Sequence, residues 1–150
     1  MITVEKATVE DIVDFVSNIR HMDEVEVKIV SGKFIQEQIQ ELLHQEAKTI
    51  KCDDVLLGIG GWHKEMMDWG LESEGVYGWM LLTNAVEEHK IEFLRWAKGF
   101  VKDLLDTYPY IANTAYVYNH LHIKFLKYLG AKFWGDPFNP WLVHFVIERS

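Results

Sequence analysis

His120 and His122 follow Asn119 directly, and His63 lies far upstream. Imidazoles exchange protons near neutral pH and are common metal ligands. Helix positions two apart do not face together. None of the three sits in the tight Cys or carboxylate pattern of a zinc site. No metal centre is therefore expected. His122 remains a candidate general base, against the plainer role of a packed, hydrogen-bonded imidazole. Glu26, Glu72 and Glu74 are candidate carboxylate bases, with solvated surface carboxylates as the plainer reading. Cys52 lies between Lys51 and Asp53 in an expected strand, where a buried, inert thiol is the default. No nucleophile elbow, Walker sequence or Cys–His pair is evident.

Two further groups are set apart by composition. Gly58, Gly60 and Gly61 close an apolar run and suggest a bulge or hairpin turn. A dinucleotide-binding reading would need a helix straight afterwards, whereas Trp62-His63-Lys64-Glu65 follows, with loop-like Met66-Met67-Asp68-Trp69-Gly70. Trp62, Met66, Met67, Trp69, Trp134, Phe138 and Trp141 make the expected loops unusually apolar. They are either core residues or a partner surface, since Trp and Met are enriched at interfaces.

These residues need elements to hold them. Ile2 to Lys6 alternates as a strand. Thr8 and Asp11 form an N-cap and capping-box pair for a helix carrying Ile12, Val13, Phe15, Val16 and Ile19. Met22 to Val30 reads as a turn or irregular segment. Phe34 to Ala47 reads as a second helix, with Phe34, Ile35, Ile39, Leu42 and Leu43 on one face. Strands are expected at Thr49 to Lys51, Val55 to Ile59 and Val76 to Thr83. Lys90 to Tyr108 is the longest expected helix, stopped by Pro109. Tyr110 to Tyr118 is a strand, and a helix follows Asn119, whose plainer role is that of its N-cap. That helix ends at Gly130, where a left-handed C-cap belongs. Ala131 to Trp134 and Leu142 to Glu148 form a closing strand pair. The alternation predicts an α+β fold, with helices layered on a central mixed, mostly antiparallel sheet.

Length and composition predict one globular domain over residues 1–150. A single cysteine precludes an intramolecular disulfide and fits a reducing cytoplasm. The opening MITVEKATVEDIVDF lacks signal-peptide character. No apolar run reaches the ~18 residues of a membrane span. The formal net charge of −8 argues against a nucleic-acid surface. It suits either a basic partner or simple solubility.

Tyr116 to Phe133 reads YVYNHLHIKFLKYLGAKF, a strand, an Asn, an amphipathic helix and a Leu-Gly ending. This order resembles the last third of the GNAT N-acetyltransferase fold, and the whole chain follows that fold's element order. The resemblance implies acetyl-CoA as cofactor and acyl transfer to an amine. It places the pantetheine along the strand carrying Trp79, Met80 and Leu81. The pyrophosphate would lie at Leu82 to Lys90, among Leu82, Thr83, Asn84, His89 and Lys90. Asn119 and His122 would stand beside the cofactor, with His122 or Glu74 as base for the acceptor amine. That Leu82-to-Lys90 segment has no glycine and carries Glu87 and Glu88. Leu126 fills the place where such enzymes often carry a Tyr acid.

The pieces LLGIGGW, GVYGWMLLT and NHLHIKFLKYLGAKF, with the opening ITVEKATVEDI, are similar to the GNAT-like small internal virion proteins of short-tailed phages. That resemblance implies a phage origin and action in the infected bacterial cytoplasm or the virion. Two roles stay open: an acetyl-CoA-dependent enzyme with degenerate motifs, or an inactive assembly or host-protein-binding protein acting through the Trp-rich loops. The oligomeric state is not legible.

Overall fold

The computed structural model describes residues 1–44, 46–66 and 72–149. Among these residues seven strands form one mixed sheet in the order β1-β2-β3-β4-β5-β7-β6. They are β1 (Ile2–Lys6), β2 (Lys48–Cys52), β3 (Val55–Met66), β4 (Glu72–Leu82), β5 (Tyr110–Tyr116), β6 (Lys132–Gly135) and β7 (Leu142–Glu148). The helices are α1 (Val9–Asn18), α2 (His21–Ser31), a short α3 (Ile39–His44), α4 (Lys90–Thr107) and α5 (His120–Tyr128). This is the expected α+β class. No helix among the described residues is long and apolar enough to cross a membrane. The chain forms two compact units, Met1–Gly61 with Met80–Trp96, and Trp62–Trp79 with Ala97–Ser150.

In the first unit, β1 and β2 pair antiparallel from Ile2↔Cys52 to Lys6↔Lys48. β2 and β3 form a hairpin whose turn residues Asp53 and Asp54 have φ of 48° and 69°. Two left-handed residues are what a two-residue hairpin turn requires, and Asp tolerates that region better than most. Thr8 caps α1 and Asp11 returns the bond, so the capping box read from sequence is present. Ile12 and Phe15 bury completely, whereas Val13 stays half exposed.

Three local expectations are corrected in this unit. Met22 to Val30 is not irregular but lies within α2, which ends at Gly32 in the left-handed region. Its β-branched residues are weak helix formers, but Asp23 and Glu26 are buried and tie the helix down. Phe34 to Ala47 is not one helix. A 3-10 turn at Ile35–Gln38 precedes the short α3, and only Ile35 of that turn is buried. Phe34 is exposed, with the Lys28 ammonium 4.3 Å from its ring centre. The glycines after Leu57 do not make a turn, because β3 continues through them to Met66. Gly58 is there for proximity: a Cβ on it would meet the Leu81 carbonyl oxygen at 2.5 Å.

In the second unit, β5 and β7 pair antiparallel from Tyr110↔Glu148 to Tyr116↔Leu142, and β6 pairs with β7. The core joins Val76, Ile111, Ala115, Leu126, Phe145 and Ile147. α5 ends as expected: Gly130 has φ 92°, its N–H reaches the Lys127 carbonyl, and the Ala131 N–H reaches that of Leu126. Trp62 lies in β3, not in a loop, and packs edge-on against Phe100.

Candidate functional site

In the second unit β4 runs parallel to β5 for two positions only, Val76↔Ile111 and Tyr77↔Ala112. The ladder is then taken over by a side chain, as Asn113 Nδ2 donates to the Gly78 carbonyl at 2.9 Å. Glu74 is exposed and Trp79 half-buried. The side chain of Glu72 lies outside the described residues, as do Met67 and Trp69 and the side chain of Met66.

In the first unit the end of β4 is fastened on both edges. Thr83 donates its N–H to the Leu57 carbonyl at 2.8 Å and its hydroxyl to the Leu56 carbonyl at 2.8 Å. The Leu82 N–H donates to Asp23 Oδ2 at 2.7 Å, and the Leu82 carbonyl accepts from the Arg20 N–H at 2.9 Å. Asp23 also holds the Arg20 guanidinium at 2.8 Å, both side chains being nearly buried. Backbone groups alternate between the two edges of a strand. Leu81 therefore shares the β3-facing edge of Thr83. Met80 shares the other edge with Leu82.

Asn84 to His89 forms a 3-10 segment running directly into α4, with Val86 as its buried anchor. Asn84, Glu87, Glu88 and Lys90 are exposed and His89 is half-buried. A helical start leaves N–H groups without intrahelical partners; here the Val86 N–H bonds the Thr83 carbonyl at 3.3 Å, and two carboxylates follow.

Asn119 stands at the start of α5 and is fully buried, but its side chain makes no capping bond. The helix is begun by backbone instead, with the Ile123 N–H on the Asn119 carbonyl. The half-buried His122 stacks edge-on against Phe145 at 6.4 Å. Leu126 is buried in the core, and Tyr128 faces outward, with the Lys98 ammonium 5.0 Å from its ring centre. Glu26, expected among solvated carboxylates, is instead buried in α2.

Two groupings were not legible in the sequence. Cys52, His89 and Glu92 bring their ligand atoms within 4.8 Å of one another, making the Cys–His pair that spacing did not reveal. The thiol donates to Glu92 Oε2 at 2.8 Å, and that contact, with burial, pushes its pKa up. In the second unit, Thr114 Oγ1 meets His144 Nδ1 at 2.9 Å, and His144 Nε2 meets Asp136 Oδ2 at 2.9 Å. The Phe138 N–H and the His144 contact hold the Asp136 carboxyl below the usual carboxylate range. Only pairing of β5 with β7 aligns Thr114 with His144, so no sequence signal marks this chain of bonds.

The fold is shared with solved acetyltransferases. Aminoglycoside acetyltransferase AAC(6')-Ib in complex with coenzyme A and kanamycin superposes with a TM-score of 0.70 at 17% identity, covering 99% of this chain and 95% of that one. A GNAT-family acetyltransferase from Bacillus anthracis gives 0.69 at 12% identity, covering 98% and 94%. The PaiA N-acetyltransferase of Thermoplasma acidophilum, in complex with coenzyme A, gives 0.61 at 14% identity, covering 99% of each chain. At such identities the likeness establishes the GNAT fold. No curated protein matches the sequence. A family model described as "Bacteriophage T7, probable scaffold protein Gp13" matches residues 46–137. The chain has the GNAT fold and belongs to this phage protein family.

Proposed function

We propose that this phage-family protein binds acetyl-CoA along β4 and retains weak N-acetyltransferase activity. The observation that carries the reading is the early end of the β4–β5 ladder at Tyr77. On that edge Gly78 is tied by Asn113, and Leu82 by Asp23 and Arg20. Met80 lies between them. In this reading its N–H and C=O pair with an extended amide chain as an added strand would. The pantetheine arm of coenzyme A is such a chain.

The residues present fit that group in part. Backbone pairing at Met80 asks nothing of side-chain type, and Asn84, His89 and Lys90 lie where a pyrophosphate would meet helical N–H groups. Glu87 and Glu88 oppose an anion there. The cofactor supplies a thioester-activated acetyl group. The protein's part is to hold it beside an amine, with His122 or Glu74 as base for the amine proton. Leu126 has no proton to give a departing thiolate, and this accounts for weak activity. Titration with acetyl-CoA, followed by an acetylation assay on host lysate, tests the reading.

A second reading is favoured by the surface of the second unit. Phe138 is 95% exposed, and Tyr118, Trp134 and Trp141 are about half exposed. Apolar surface of this kind marks a partner site, and the family's description as a scaffold protein accords with assembly in the phage particle or with a host protein. Phe138→Ala with Trp141→Ala would then abolish capture of a virion protein and leave acetyl-CoA binding unchanged. Unchanged capture would remove this reading.

A further inference from the structure

The first unit gathers a mixed sulfur, nitrogen and oxygen donor set of which the acetyl-CoA reading uses His89 alone. Cys52 ends β2 fully buried. The tight Asp53-Asp54 turn places Asp53 Oδ2 3.9 Å from the Cys52 thiol. His89 closes the 3-10 segment and Glu92 lies in the first turn of α4, three residues on, so both share one helical face. Cys52, His89 and Glu92 place their ligand atoms within 4.8 Å of one another. Tetrahedral zinc separates its ligand atoms by about 3.5 Å, given bonds of about 2.0–2.3 Å. Metal binding would turn the half-buried His89 and exposed Glu92 side chains into that spacing, with Glu92 Oε2 moving out from its 2.8 Å contact with the thiol.

We infer that Cys52, His89 and Glu92, with Asp53 at the rim, form a binding site for a zinc-class divalent cation. The donor set selects the metal. A thiolate with an imidazole suits zinc, whereas calcium and magnesium take all-oxygen sites. Asp53 Oδ1 and Glu92 Oε1 hold the Met1 ammonium at 2.9 and 3.0 Å, so a bound metal would take the Glu92 carboxylate in competition with that ammonium. On binding, the thiol proton leaves to solvent and the thiolate takes the metal. The metal would pin the β2–β3 hairpin to the start of α4.

The test is titration of the chelator-stripped full chain with Co²⁺ and then Zn²⁺, followed by absorption and thermal unfolding. One Co²⁺ per chain is expected, with the charge-transfer band of a cobalt–thiolate bond that Zn²⁺ displaces. Zn²⁺ is expected to raise the unfolding temperature. Cys52→Ser should abolish the band. Cys52 is buried, so His89→Gln and Glu92→Gln, both near the surface, provide variants that fold. Each should weaken binding by more than about tenfold, whereas Glu88→Gln should not. No thiolate band in the unaltered protein, or unchanged affinity in both surface variants, would overturn the site.

Discussion

Asp23 accepts the backbone N–H of Leu82 at 2.7 Å across 59 residues of sequence. Its other oxygen holds the Arg20 guanidinium at 2.8 Å. One buried carboxylate therefore joins the start of α2 to the end of β4. Asp23→Ala leaves a buried guanidinium and a strand N–H without this acceptor. Breaking a buried pair in this way costs about 3–5 kcal/mol. Urea unfolding should show that loss. A change under about 0.5 kcal/mol, the range of ordinary surface substitutions, would show that the contact does not anchor β4.

Two glycines should respond oppositely to alanine. At Gly58 a Cβ would meet the Leu81 oxygen at 2.5 Å and Leu82 Cδ2 at 2.9 Å. Gly58→Ala should destabilise by about 1–3 kcal/mol, as overpacking does. Gly99 lies within α4 with nothing within 4 Å of an added Cβ. Gly99→Ala should stabilise by about 0.5–1 kcal/mol through helix propensity. Denaturant midpoints of the two variants check both signs.

Much of this fold is legible in local signals. The Thr8–Asp11 box and the Gly130 cap are realised because each satisfies backbone groups within a few residues, and the Pro109 stop because a proline cannot continue a helix. α2 also carries a local signal, with Gly32 as C-cap and Lys28 in its last turn. Its β-branched residues masked that signal, and burial of Asp23 and Glu26 decided the outcome. Gly58, Gly60 and Gly61 resemble a turn because sequence cannot show what approaches a missing Cβ. The site is less legible for the same reason. Which edge Met80 and Leu82 face depends on strand pairing, and nothing local brings Cys52 to His89.

Acid should reveal the Asp136 contacts. Its pKa is lowered first by the Phe138 N–H, then by His144 and the Asn139 N–H, against desolvation. A carboxyl with a lower pKa folded than unfolded contributes stability above its unfolded value. That contribution fades as pH falls below about 4. In the unaltered protein the urea midpoint should therefore fall through this range. Asp136→Asn should start lower and show a shallower acid limb. Parallel acid limbs would mean that the carboxylate is not held by these donors.

The glycine-free start of the Asn84–His89 segment should be a tunable weakness. Glu87 and Glu88 are exposed there. Glu87→Lys with Glu88→Lys replaces two repulsive charges beside the expected pyrophosphate. Affinity for coenzyme A should rise, with a steeper dependence on salt. Equal affinity in the variant and the unaltered protein would move the pyrophosphate away from this segment.

Calorimetric titration of the purified full chain with acetyl-CoA, and with coenzyme A as control, tests the central claim most directly. Pairing along β4 at Met80 predicts saturable one-to-one binding in the micromolar range. Absence of heat at millimolar ligand would contradict it, leaving the acetyltransferase likeness as one of fold alone.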